Sequence, residues 1–421
     1  LNFNNRGFET YVGPASNHNM DDTGCIYCGK CIQSCPVGAL QEHDDTAKVL
    51  DLLEDKEYYT VAQIAPAVRV ALGEEFGFEI GTNVERKIYQ ALRLLGFDDI
   101  TDTNFAADVT ILEEGTELLE RIEKSKKNKD AVLPLFTSCS PGWIRYIETY
   151  YPEFLPNLSS CKSPQQMQGA LIKHYYSKKI GINKEKIKVV SIMPCIAKKH
   201  EANLPNMKVD GIRDVDYVLT TRELARLIKQ QNIGFARLKD YYPNSPLAEY
   251  TGAGAIFGTT GGVMEAAIRT VKEIVDPKDT GLVELNSLQD VDENIKEANI
   301  KIGDLEGCVA VVHGAVNFPK MLDMIRANPN KYLFVEFMAC TGGCINGGGQ
   351  PIVPAYLQER INVKKLRSKA LHKIDAFMDI RKSHKNQEVK NLYQEFLKKP
   401  GSEVSHHLLH TDYTKRDIYT K

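Results

Sequence analysis

Three short apolar runs, AVLPLF, IKVVSIM and YLFVEFM, each lead within three residues into a cysteine: Cys139, Cys195 and Cys340. The runs are continuous rather than alternating, which predicts strands buried on both faces, as in a largely parallel sheet covered by helices. VDYVLTT and CVAVVHG read the same way. VAQIAPAVRVAL opens the pattern at Val61, and amphipathic stretches lie between the runs. Ile88, Ala91, Leu92 and Leu95 fall at helical spacing, as do Leu118, Leu119 and Ile122, and TRELARLIKQ reads as a helix. The expected class is therefore α/β. Open sheets of this kind place their sites beyond the carboxyl ends of the strands, so the three cysteines are predicted to converge.

The first 45 or so residues read differently. They are rich in Asn, Gly, Asp and Cys and show no sustained apolar periodicity, as expected of a small domain held by metal. CIYCGKCIQSCP sets Cys25, Cys28, Cys31 and Cys35 at the spacing C-x2-C-x2-C-x3-C-P, the run with which bacterial-type ferredoxins hold a 4Fe-4S cluster. Zinc is the competing metal, but it usually pairs two separated knuckles and does not account for the closing Cys-Pro. In two-cluster ferredoxins the fourth cysteine serves the other cluster, and no second run is present here. Either Cys35 closes a single cluster or a further motif precedes Leu1, and the start on leucine favours the second reading. In both cases the expected role is electron relay.

Composition excludes more than it identifies. A formal charge of -2 argues against a general nucleic-acid or anionic-membrane binder, and no apolar run is long enough to span a bilayer. Ten cysteines in 421 residues, several tightly grouped, suit metal binding better than a disulfide scaffold, so a reducing, cytoplasmic setting is expected. Asn232 to Tyr250 and Asp276 to Asn299 read as polar excursions, and the tail after Lys382 as a polar surface wrap.

CTGGC places Cys340 and Cys344 around two glycines, and three more follow at Gly347, Gly348 and Gly349, so the backbone can approach a bulky inorganic group. FTSCSPGW, MPCIAKKHE and EFMACTGGCINGGGQP resemble, in order, the three signature motifs of the FeFe hydrogenases, and the similarity covers the whole chain, ferredoxin-type run included. The resemblance implies residues 1–50 as a ferredoxin-like 4Fe-4S domain, and 51–421 as a catalytic domain of two α/β lobes. It implies an H-cluster, a 4Fe-4S cubane joined through a cysteine sulfur to a two-iron unit with carbon monoxide, cyanide and a bridging dithiolate. The implied reaction is reversible reduction of protons to dihydrogen. By position, Cys195 and Cys340 ligate the cubane, Cys344 bridges it to the two irons, and the Cys139 thiol passes protons. Lys198 bonds a cyanide, Met193 and Met338 pack against the irons, and Pro66, Gln165 and Phe257 line the pocket. Glu114, Glu117, Arg121 and Ser159 match the proton route. A ferredoxin or other redox subunits supply electrons.

Each assignment has a plainer rival. Glu114 and Glu117 share a helix face that is ordinarily solvated. Met193, Met338 and Phe257 can be core, and the glycines around Phe257 fit neither common nucleotide-loop spacing. Cys308 reads as a buried small hydrophobe, and Cys161 as either that or a thiol close to Ser159. The family carries two adjacent cysteines in the first motif, where this chain has Cys139 and then Ser140. Ser140 is thereby expected at the fourth cubane corner, as an oxygen ligand or beside an open position, with Cys139 or Cys161 as substitute sulfur. Ala67 stands where many relatives place a serine. The alternative functions are a sensory or inert paralogue and an iron-sulfur assembly factor.

Overall fold

The computed structural model describes residues 1–127, 131–278, 281, 289–302 and 305–418. Two sheets carry the chain. Their strands, in chain order, are β1 (Tyr59–Ile64), β2 (Asp99–Asp102), β3 (Leu135–Phe136), β4 (Ile187–Met193), β5 (Tyr217–Thr220), β6 (Gln289–Asp290), β7 (Ile295–Ile302), β8 (Leu305–His313) and β9 (Tyr332–Met338).

The first sheet, ordered β2-β1-β4-β5, is parallel throughout. Ile64 pairs with Ile192 and Met193 with Thr220, so the carboxyl ends of β1, β4 and β5 form one edge. The second, ordered β6-β7-β8-β9-β3, is parallel from β8 to β3 and antiparallel from β6 to β8. His313 of β8 faces Met338 of β9, and Phe136 of β3 faces Val335. The continuous apolar runs became the inner strands, β4 and β9 being buried at every position but one. β7 begins inside the stretch read as polar. Ala298 and Ile300 face the apolar core while Asn299 and Lys301 are exposed, the two-residue period of a strand with one wet face.

The helices used below are α1 (Glu85–Leu95), α2 (Thr103–Lys126), α3 (Pro141–Tyr150), α4 (Pro164–Leu171), α5 (Ala197–Ala202), α6 (Thr221–Gln230), α7 (Gly262–Val275), α8 (Val363–Phe377) and α9 (Glu403–Leu409). α2 joins the two lobes. Phe105 and Val109 belong to the core on the first sheet, whereas Ala107, Ile111, Leu118 and Ile122 belong to the core on the second.

The tail departs from expectation. Val389, Leu392, Leu397, Leu408 and Leu409 are buried in the core of the first sheet, and Cys161 bridges to His410. The segment is amphipathic at short range, with apolar residues spaced to plug gaps between polar ones, so its average composition conceals its burial.

One buried ion pair shapes the turn after β1. Arg69 is fully buried, donates from Nε to the carbonyl of Pro66 at 3.0 Å, and spans both oxygens of Asp102 at 2.9 Å. A guanidinium taken out of water needs such matched partners, and breaking the pair is strongly unfavourable. The result is a fixed Pro66 at the carboxyl edge of the sheet.

Candidate metal centre

Beyond the carboxyl ends of β1, β3, β4 and β9 lies a cavity of about 850 Å³, open solvent at its mouth included. Cys139, Ser140, Cys195, Cys340 and Cys344 line it. So do Pro66, Gln165, Met193, Lys198, Phe257 and Met338, which means every residue expected in the pocket wall stands there. Met193 and Met338 end two parallel strands and are nearly fully buried. Gly343, with φ of 91°, passes against the chain at 258–260. A Cβ there would stand 2.7 Å from the Thr260 nitrogen, so the position requires glycine.

The thiols are chemically frustrated without a cation. Burial, with the neighbouring Cys195 adding to it, pushes Cys340 and Cys344 up to about 12. Burial also raises Cys195, although Lys198 opposes it. Sulfur donors this crowded and dry become thiolates once a metal neutralises them, so this donor set fits an iron-sulfur group better than a protonated core. Lys198 donates to the Cys139 carbonyl at 3.0 Å and to Glu201 at 3.0 Å, which aims an ammonium at the cavity wall.

Ser140 faces the cavity at the start of α3, and its hydroxyl oxygen accepts from the Ala339 N–H at 3.4 Å. Cys161 lies elsewhere. It is fully buried in the apolar core, outside the cavity wall, which removes it as the substitute sulfur. Its backbone pairs with the tail, and its thiol faces Ser159. Cys308 is buried in β8, as expected of a small hydrophobe.

A polar chain leads from Cys139 outward. Burial raises the Cys139 thiol well above its ordinary range, with Glu114 the next contributor. Glu114 is buried on α2, meets the Ser159 hydroxyl and the Ser138 N–H, and is pushed to about 8 by burial and by Glu117. The Ser159 hydroxyl donates to Glu117 at 2.9 Å, and Arg121 donates to Glu117 at 2.6 Å. Arg121 also holds the carbonyls of Pro156 and Leu158 at 3.0 and 2.8 Å. Glu117 and Arg121 border an outer cavity of about 600 Å³ with Ser160 and His410. Glu117, Cys161 and His410 bring ligand-type atoms within 4.8 Å, but Glu117 is already hydrogen-bonded and both His410 nitrogens face partners, Ser160 at 2.8 Å and Glu113 at 3.2 Å.

Two acidic residues escaped the sequence reading. Glu336 is fully buried in β9, accepts from the N–H groups of Gly261 and Met264 at 2.6 and 2.8 Å, and is raised to about 7 by burial. Its signal was an ionisable residue inside YLFVEFM. Glu201 stands three residues from Lys198 on α5, a spacing that pairs opposite charges on a helix.

In the N-terminal run, Cys25 feels Cys28 and Cys31, whereas Cys35 is held by the N–H groups of residues 37–40, which pull its thiol below the usual range. Cys28 also reaches the wall of the larger cavity.

A family model described as the iron only hydrogenase large subunit, C-terminal domain, matches residues 58–348. The chain belongs to that family. A 4Fe-4S binding domain matches residues 19–41, and the iron hydrogenase small subunit matches residues 361–416, so the buried tail corresponds to a separately described subunit. The NADP-reducing hydrogenase subunit HndD of Solidesulfovibrio fructosivorans is 46% identical over 98% of this chain and 70% of that protein. The cytosolic iron-sulfur assembly component 3 of Rattus norvegicus is 30% identical over 92% of this chain and 82% of that protein. Among solved structures, a variant of the apo FeFe-hydrogenase HydA1 from Chlamydomonas reinhardtii superposes with a TM-score of 0.78 at 35% identity, covering 89% of this chain and all of that one. The cofactors of this family member are a 4Fe-4S cluster and an H-cluster. No helix among the described residues is long and apolar enough to cross a membrane.

Proposed function

We propose that the chain is a hydrogenase that interconverts protons and dihydrogen, with electrons arriving through the cluster at Cys25, Cys28 and Cys31. The carrying observation is the polar chain from Cys139 through Glu114, Ser159 and Glu117 to Arg121, which ends at an outer cavity. A protein that only assembles or stores clusters has no use for a proton route.

Cys195, Cys340 and Cys344 would hold the H-cluster, which supplies redox-active iron at which two protons and two electrons make dihydrogen. Cys139 holds the proton nearest the cavity. Glu114, protonated near neutrality because it is buried, passes a proton to it and is refilled through Ser159 and Glu117. Arg121 holds Glu117 in place through a hydrogen bond of 2.6 Å. Lys198 presents a cation to the cavity wall, suited to an anionic iron ligand, while Pro66, Gln165, Met193, Phe257 and Met338 exclude water. Ser140 would stand at the fourth cubane corner, as a hard oxygen ligand or beside an open position. Cys35, beside the N–H groups of residues 37–40, either closes the cluster at Cys25, Cys28 and Cys31 or serves a second one. We further propose a division at residue 50, a cytoplasmic setting and a ferredoxin-like or multisubunit electron donor.

Hydrogen evolution from a reduced dye, with chain matured to carry the two-iron unit, tests the reading. Turnover is expected. Two-iron infrared bands without turnover would instead identify a sensor, and absence of both an assembly factor, the reading that the serine at Ser140 and the assembly-component relative favour. Ser140→Cys is expected to change the magnetic signature of the cubane and to raise turnover. If it alters neither, Ser140 is not at the corner.

A further inference from the structure

Between Cys28 and Cys31 the run carries Lys30, whose side chain does not turn to solvent. Its ammonium crosses to the loop after Cys344, donating to the Asn346 carbonyl at 2.6 Å and to Gln33 at 2.6 Å. Gln33 in turn donates to the Gly347 carbonyl at 2.9 Å. Gly348 packs so closely here that a Cβ on it would stand 2.2 Å from the Cys28 carbonyl. The Lys30 charge thus lies within electrostatic reach of Cys340 in the large cavity and of Cys28 in the relay run.

A second cation approaches the same run. Arg145 of α3 is buried, with Nε donating to the Cys25 carbonyl at 2.7 Å. One terminal nitrogen donates to the carbonyls of Asp21 and Thr23 at 2.9 and 3.3 Å, and the guanidinium stacks over the Tyr27 ring at 4.7 Å. Its charge acts on Cys25. The three carbonyls it holds, of Asp21, Thr23 and Cys25, all belong to the segment around the relay run.

Reduction adds one negative charge to a cluster. A fixed cation in a poorly solvated place stabilises that charge in proportion to its proximity, which raises the reduction potential. We propose that Lys30 and Arg145 are positioning residues of unequal reach that set the energy of the electron in transit: Lys30 stabilises the reduced state of both clusters, Arg145 that of the relay cluster alone. In the step they govern, the relay cluster is oxidised by one electron, the cavity cluster is reduced by one, and no atom moves. The proposal rests on the two clusters and not on hydrogen turnover.

Redox titration of the purified, iron-loaded full chain, followed by electron paramagnetic resonance of each cluster, provides the test. Lys30→Met is expected to lower both midpoint potentials, and Lys30→Arg to leave both near the original. Arg145→Gln is expected to lower the relay potential only, with Arg145→Lys recovering part of the shift. Iron content and circular dichroism report whether each variant is loaded and folded. Should Lys30→Met fail to load, Lys30→Gln, which keeps a donor but no charge, is titrated in its place. The proposal is overturned if the neutral residue at Lys30 moves only one potential or neither, or if Arg145→Gln moves both equally. Shifted potentials in a chain that evolves no hydrogen would uphold this inference while refuting the hydrogenase reading.

Discussion

Glu114 is the residue on which the chemistry and the stability of this protein meet. Its carboxyl is raised from an ordinary 4.5 to about 8 by burial, so between those values the folded chain keeps a proton that the unfolded chain has lost. The unfolded state then binds fewer protons, and stability falls as pH rises through this window, levelling above about 8. Glu336, raised to about 7, acts in the same direction over a narrower window. Glu114→Gln is expected to flatten part of the decline in melting temperature between pH 5 and 8, leaving the share due to Glu336, as scanning calorimetry would record. The amide holds no transferable proton, so hydrogen evolution should drop by about 10²–10⁴-fold, the usual scale for a lost proton-transfer group. An unchanged rate would remove Glu114 from the route. Spacing alone left Glu114 and Glu117 as a solvated pair on one helix face, and only the family resemblance singled them out. Only their surroundings separate them: Glu114 is buried against Ser138 and Ser159, while Glu117 is half-exposed beside Arg121.

Among the elements, α6 shows local sequence sufficing. Thr220 ends β5 and caps the helix, its hydroxyl accepting from the Glu223 N–H while the Glu223 carboxylate accepts from the Thr220 N–H at 2.7 Å. Thr220 and the following TRELARLIKQ carry that box and an apolar stripe, so the start of the helix is written into neighbouring residues. Thr220→Ala is expected to cost about 1 kcal/mol, read as a lower urea midpoint at unchanged slope. A larger loss would mean that the cap also supports the cysteine loop, since Gly349 packs against the Thr220 side chain. β3 shows the opposite case. AVLPLF promises a full strand, yet only Leu135 and Phe136 form one, and Pro134 directly before them has no N–H to give a ladder. β7 likewise gains its strand from pairing with β8 along its whole length, a contact invisible in its polar composition.

At the scale of the molecule, the tail is a structural member of the fold rather than a wrap. Leu409 is fully buried in the core of the first sheet, and the Leu409 carbonyl accepts from the Lys162 N–H at 2.8 Å. Leu409→Ala is expected to lower stability by about 2–5 kcal/mol through the cavity it leaves, measured by denaturant unfolding. A cost near zero would show the tail to be dispensable. Spacing along the chain was enough to read the cluster-binding run, the α/β class and the three cysteine motifs, because metal-ligand geometry and strand burial leave local patterns. It was also enough, by resemblance, to name the residues around the cavity. Which side chains face one another was settled by tertiary structure alone. The tail brings His410 beside Ser160, and Lys30 reaches more than three hundred residues along the chain to Asn346. The direction of each of these groups depends on loops brought together from distant strands, and no local spacing encodes that.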